Sequence, residues 1–159
     1  AIEKGVIEAL KKGALAGYPV VDVRIALTDG TYHDVDSSEI AFKIAAIECF
    51  KEAFRKANPV ILEPHMSLEV TTPEEYVGNV VGNLCARRGK VLGIEASKIG
   101  QQIIEAEAPL SELFGYATTL RSLSSGRAAY SMHFEKYIEV PSALAEKIIE
   151  EAKEKKDKD

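Results

Sequence analysis

Between Met66 and Phe134 the spacing of apolar residues switches from a period of two to one near 3.6 and back, in an order that restricts the possible folds more than any other feature. Met66, Leu68 and Val70 alternate with His65, Ser67 and Glu69, as in a half-buried strand. Thr72-Pro73-Glu74-Glu75 then supplies a cap, a proline suited to the first helical position and a capping glutamate. The helix it opens would bury Tyr76, Val77, Val80, Val81 and Leu84, end on Arg87 and Arg88, and stop at Gly89. Two strands, residues 90–96 and 101–108, follow with a turn at 97–100. Pro109 and Leu110 open a second helix with Leu110, Leu113, Phe114, Ala117 and Leu120 on one face. Gly115 inside it would cost about 1 kcal/mol relative to Ala, so some other requirement holds it there. A loop at 122–126 leads to a strand at 127–134, with Ala128, Tyr130, Met132 and Phe134 on one face. The order βαββαβ is that of the ferredoxin-like unit, two helices covering one face of a four-stranded antiparallel sheet.

The preceding stretch reads as a smaller α/β unit. Ile2, Val6, Ile7 and Leu10 share a helical stripe that Gly13, Gly17 and Pro19 terminate. Val21, Val23, Ile25 and Leu27 alternate with Asp22 and Arg24 as a strand, closed by Asp29-Gly30. Asp36 and Glu39 have capping-box spacing before a helix whose stripe is Ile40, Ile44, Ile47, Phe50 and Phe54. A short strand at 60–62 precedes Glu63-Pro64, read as a linker. The expected organisation is α+β in two small domains, 1–63 and 64–140, with a C-terminal helix and charged tail at 141–159.

Composition bounds the chemistry. With 159 residues and a formal net charge of −5, the chain has no general basic surface with which to coat nucleic acid, although local basic patches remain open. Two cysteines, Cys49 and Cys85, make neither a disulfide framework nor zinc spacing; both are expected to be packed, in a reducing compartment. There is no G-x-x-x-x-G-K-[ST] loop and no G-x-G-x-x-G after a strand, so nucleotide hydrolysis by this chain is not expected. Apolar runs are broken by charge, no basic-then-apolar leader is present and Ala1 is not an initiator Met; the chain reads as a soluble, cytoplasmic fragment without a membrane partner.

Candidate contact residues fall in two places. The polar loop holding Tyr32, His33, Asp34, Val35, Asp36 and Ser37 contains the ingredients of a nucleophile, base and orienter, but residues this close in one loop seldom converge that way. A contact surface held by rigid elements is the better reading. Arg87, Arg88, Lys90, Arg121 and Arg127 lie at helix ends and loop rims and are expected to cluster at one end of the helices, where guanidinium groups suit phosphates. From position alone, phosphate contact and complementation of the helix dipole carry equal weight. No RNP1-like run is present, which disfavours base stacking on the sheet. Glu74 with Glu75, and Glu105 with Glu107, are explained by a helix N-terminus and by a strand's polar face, and no catalytic residue or metal site is assigned.

At residues 29–45 (DGTYHDVDSSEIAFKIA), 72–89 (TPEEYVGNVVGNLCARRG) and 109–137 (PLSELFGYATTLRSLSSGRAAYSMHFEKY), the chain closely resembles bacterial translation elongation factor G. The resemblance is colinear over residues 1–140 and corresponds to most of the fourth domain followed by the fifth. It departs from the family's usual residues at His65, Asn79, Asn83, Cys85 and Glu105, as a diverged paralogue would. The resemblance implies a left-handed strand-helix-strand crossover in the first unit, with further strands before Ala1. It implies a parent GTPase that binds GTP and magnesium in an N-terminal domain missing here, so that this chain needs no cofactor. It also implies that the parent promotes tRNA-mRNA translocation on the ribosome, with the loop around His33 at a tip reaching the decoding region. Arg121, Ser122, Ser124 and Arg127, backed by Arg87 and Arg88, would contact large-subunit rRNA. The alternative, a small ferredoxin-like hydrolase of acylphosphatase type, would need a phosphate-cradling loop with Arg after the first strand, where this chain has Thr-Thr-Pro and acids; a metal-carrying module of that topology would need paired cysteines.

Overall fold

A computed structural model describes residues 1–158. They divide into two compact units, one of residues 1–61 together with the segment from Pro141 on, the other Leu62–Val140. In the second unit the strands are β1 (Leu62–Pro73), β2 (Lys90–Ala96), β3 (Gln101–Pro109) and β4 (Ala129–Glu139), in the order β2-β3-β1-β4, every neighbouring pair antiparallel. Numbering the helices through the whole chain, α3 (Val77–Ala86) and α4 (Tyr116–Leu123) cover one face. This is the ferredoxin-like sheet expected from the periodicity, because alternate residues of the central strands must be buried by something. Leu68, Val70, Ile104, Ala106 and Ala108 meet Val80 and Leu84 of α3 and Leu113, Tyr116 and Leu120 on the α4 side, all at most 5% exposed. Full burial of each Leu, Ile or Val contributes roughly 1.5–3 kcal/mol.

Several local expectations are corrected. Glu63-Pro64 is no linker: both residues belong to β1, and Pro64 is tolerated because β1 pairs there only with β4, its register with β3 beginning at His65. Thr72 is no cap either, since Pro73 keeps an extended backbone and carries the strand on. Thr72 is fully buried, and a 3-10 turn, Glu74–Tyr76, leads into α3 without a side-chain cap. The helix expected from Pro109 is broken at Gly115, whose φ of +72° separates a 3-10 turn (Leu110–Glu112) from α4. The break rotates Phe114 outward to 78% exposure and places Tyr116 in the core instead. At the end of α3 it is Arg88 that is left-handed (φ +58°), and Gly89 follows because an added Cβ would lie 2.5 Å from the Leu84 carbonyl oxygen.

In the first unit, α1 (Ile2–Lys11) packs on α2 (Glu39–Lys56) through small residues. Gly5, Ala9 and Ala46 are buried, and a Cβ on Gly5 would meet the Lys43 carbonyl oxygen at 2.5 Å. Lys4 to Glu39 (3.1 Å) and Lys43 to Glu8 (2.6 Å) flank this contact. The α2 stripe is only partly used: Phe50 is buried and stacks with Phe54, whereas Ile40 and Ile44 are exposed. Residues 20–27 form no strand, and residues 60 and 61 lie outside β1, so this unit holds no sheet among its described residues and no crossover whose hand could be assigned. Two reasons are visible: Asp22 is left-handed (φ +56°), which bends the chain, and a strand needs a ladder partner that this unit does not present. Val21, Val23, Ile25 and Leu27 are consequently 46–69% exposed. The last helix, α5, is Ser142–Lys156. No helix among the described residues is long and apolar enough to cross a membrane.

Candidate nucleic-acid interface

The loop before α2 is a hydrogen-bonded turn. The His33 carbonyl accepts from the N–H groups of Asp36 (3.2 Å) and Ser37 (3.0 Å), and the His33 N–H donates to Ser37 Oγ at 2.7 Å. The helix is then capped by Ser38, whose Oγ accepts from Ala41 N–H at 3.1 Å. Ser38 therefore replaces Asp36 as the capping residue, and Asp36 stays in the turn. The Tyr32 ring stacks on Phe42 with centroids 6.3 Å apart. This arrangement leaves the His33 imidazole, Asp34, Val35 (95% exposed) and Asp36 projecting from a fixed backbone. Ser37 Oγ is occupied by a backbone donor and not by the imidazole, so the turn does not assemble a nucleophile and base. It contains no Lys or Arg and suits contact through a ring, a methyl surface and backbone groups rather than phosphate neutralisation.

The arginines separate into two groups. α3 and α4 run antiparallel, so the end of α3 lies beside the start of α4. Arg87 spans the two: its Nη1 donates to the Glu112 carbonyl (2.5 Å) and, more distantly, to that of Phe114 (3.4 Å). Its Nη2 reaches Thr119 Oγ1 (2.9 Å), Nε reaches Asn83 Oδ1 (3.1 Å), and the guanidinium lies 5.4 Å from the Tyr116 ring centre. Arg88 donates through both terminal nitrogens to the Glu63 carboxylate, which His65 Nε2 also approaches at 3.3 Å. Burial raises the Glu63 pKa, but hydrogen bonds from Arg88 and His65, with their charge, outweigh it and hold the group below its ordinary value. Arg121 and Arg127 lie at the opposite end, where Arg127 meets Glu75 and Tyr76 at the start of α3. The expectation that Arg87 and Arg88 back the 121–127 loop is thus corrected by helix direction.

Within that loop Ser122 and Arg121 are exposed, and among the described residues the Arg121 side chain has no hydrogen-bond or ion-pair partner. Ser124 is 0% exposed: its Oγ donates to the Leu120 carbonyl (2.7 Å) and accepts from Ala128 N–H (3.1 Å). It fastens the loop internally and offers no surface to a partner. Ser125 (φ +51°) and Gly126 (φ +76°) then reverse the chain. Sequence reading also missed the Glu63 network, since a Glu-Pro pair signals a turn more readily than a buried acid. The two cysteines are exposed, contrary to the expectation of packing. Among the described residues no cluster of His, Cys, Asp and Glu could hold a metal ion, and the turn after β1 offers acids where an acylphosphatase-type hydrolase would need a phosphate cradle.

The sequence model described as "Elongation factor G, domain IV" matches residues 1–58, and that described as "Elongation factor G C-terminus" matches residues 60–148. Among solved structures, a crystal structure from Thermus thermophilus is similar at 44% identity with a TM-score of 0.83, over 96% of this chain and 23% of that one. The chain thus spans about a quarter of the length of the protein it matches.

Proposed function

Because this chain belongs to the elongation factor G family, we propose that it is the ribosome-contacting portion of a translation factor. On this reading the turn holding Tyr32, His33, Asp34, Val35, Asp36 and Ser37 meets the tRNA and mRNA in the decoding region. The end of the second unit carrying Arg121, Ser122 and Arg127 meets large-subunit rRNA. The parent is a cytoplasmic GTPase promoting translocation, with GTP and magnesium bound outside this chain, and this portion contributes contacts and no catalytic group.

The observation that carries the reading is the pre-ordered turn at His33, held by three hydrogen bonds and the Ser38 cap while its outward side chains stay free. A contact surface ordered beforehand loses little conformational entropy on binding. Imidazole there can stack on a base or donate to a phosphate without acting as an acid or base. The test is His33→Ala in the longest form of the protein that its gene encodes. Translocation should slow, while the variant's stability stays within the range of an exposed substitution, about 0.5 kcal/mol. Wild-type translocation, or a large loss of stability, overturns the tip contact. Arg87 and Arg88 are assigned a structural part instead, because their guanidinium groups are already engaged within the fold.

A further inference from the structure

Arg127 is already engaged where the proposed rRNA contact would use it. Its Nη1 lies 2.5 Å from Glu75 Oε1, and its guanidinium carbon is 5.8 Å from the centre of the Tyr76 ring. The Tyr76 hydroxyl lies 3.4 Å from Ser125 Oγ, tying the ring to the same loop. The Glu74 N–H donates to the Gly100 carbonyl at 3.1 Å, which brings the β2–β3 turn alongside and leaves a shallow depression bordered by Pro73, Glu74, Gly100 and Arg127. A carboxylate and a phosphate use the same guanidinium donors, so Glu75 occupies the place that an RNA phosphate would take. Both side chains are more than half exposed, at 57% and 60%, which keeps the pair weak enough to exchange.

We propose that Glu75 is an intramolecular competitor for Arg127: it holds the guanidinium over Tyr76, ready and oriented, and is displaced by an RNA phosphate when this end of the unit docks. This inference rests on the reading of that end as an RNA contact. The competition makes Glu75 a specificity-determining residue, because an isolated or weakly charged anion does not displace it, whereas a phosphate fixed by neighbouring contacts at Arg121 and Ser122 does. It also alters the ionic balance of binding. When Arg127 moves to a phosphate, a counterion leaves the RNA but Glu75, newly unpaired, attracts a cation, so the net release is smaller than for a free arginine.

The test is binding of the longest form of the protein that its gene encodes to purified bacterial ribosomes across a salt titration. Glu75→Gln should bind roughly two- to fivefold tighter than wild type, since exposed pairs contribute at most about 1 kcal/mol. Its plot of log affinity against log salt should steepen by up to about one unit. Glu74→Gln removes the same charge without touching Arg127 and should change binding less. In an Arg127→Ala background the effect of Glu75→Gln should vanish. Equal gains for the Glu74 and Glu75 variants, or a gain that survives loss of Arg127, would overturn the competitor and leave the RNA contact standing. Wild-type binding by the Arg121→Ala, Arg127→Ala double variant would instead remove the contact reading itself, and the competitor with it.

Discussion

Arg87 ties three parts of the second unit together, because one guanidinium serves the end of α3, the carbonyls before α4 and a hydroxyl inside α4. Arg87→Ala leaves those half-buried acceptors without donors, and chemical denaturation should register a loss of about 2–3 kcal/mol. Lys in its place should restore little, since an ammonium cannot span acceptors that a planar fork reaches together. Glu63 supplies a second signature, in pH. Its folded pKa lies below the ordinary 4.5, so the carboxylate contributes stability that is present above that value and is lost as pH falls through the depressed folded pKa. The stability difference between the wild type and Glu63→Gln should therefore be largest near neutrality and shrink in the acid range below 4.5. A difference that grows on acidification would mean that His65 and Arg88 do not hold the charged form.

At the scale of elements, Gly115 separates two accounts of the same residues. In the interior of a helix, Gly115→Ala would stabilise by about 1 kcal/mol. At φ +72° with open space around the Cα, the same change should destabilise by about 1–2 kcal/mol through backbone strain alone, and thermal unfolding gives the sign directly. This position also shows what the sequence makes legible. The alternation of Leu68 with Val70 and of Ile104 with Ala106 identifies the sheet, and the Val80-Leu84 spacing identifies α3, because burial imposes those periods. Strand pairing and helix direction are not periodic signals. For that reason the separation of Arg87 from Arg127 to opposite ends, the capping role of Ser38 and the unpaired state of residues 20–27 emerge only in three dimensions. The projecting turn at His33 was legible from its polar run between a strand-like stretch and a helix, whereas the hydrogen bonds that fix it were not.

At the scale of the whole molecule, the two units differ in how much they bury. The second has a continuous core from Leu68 to Leu120, whereas the buried apolar residues of 1–61 are Ala9, Ala46, Phe50 and Ile61. Amide hydrogen exchange should follow that difference, with β1 and β3 among the slowest sites and residues 23–29 near unprotected rates. Slow exchange throughout 23–29 would show that a ladder partner is present in solution. The bend at Asp22 has a consequence of another kind, for colloidal behaviour. Val20-Val21-Asp22-Val23-Arg24-Ile25-Ala26-Leu27 is a β-prone, largely apolar run exposed throughout from Val21 to Leu27, the kind of segment from which intermolecular cross-β aggregates grow. Its left-handed aspartate interrupts flatness and, with Arg24, places charge within the run, the two devices that keep an exposed strand from templating its neighbours. Asp22→Val removes the bend and one of the two charges, leaving Arg24 alone to interrupt the run, and concentrated solutions of that variant should scatter light and bind amyloid dyes before the wild type does.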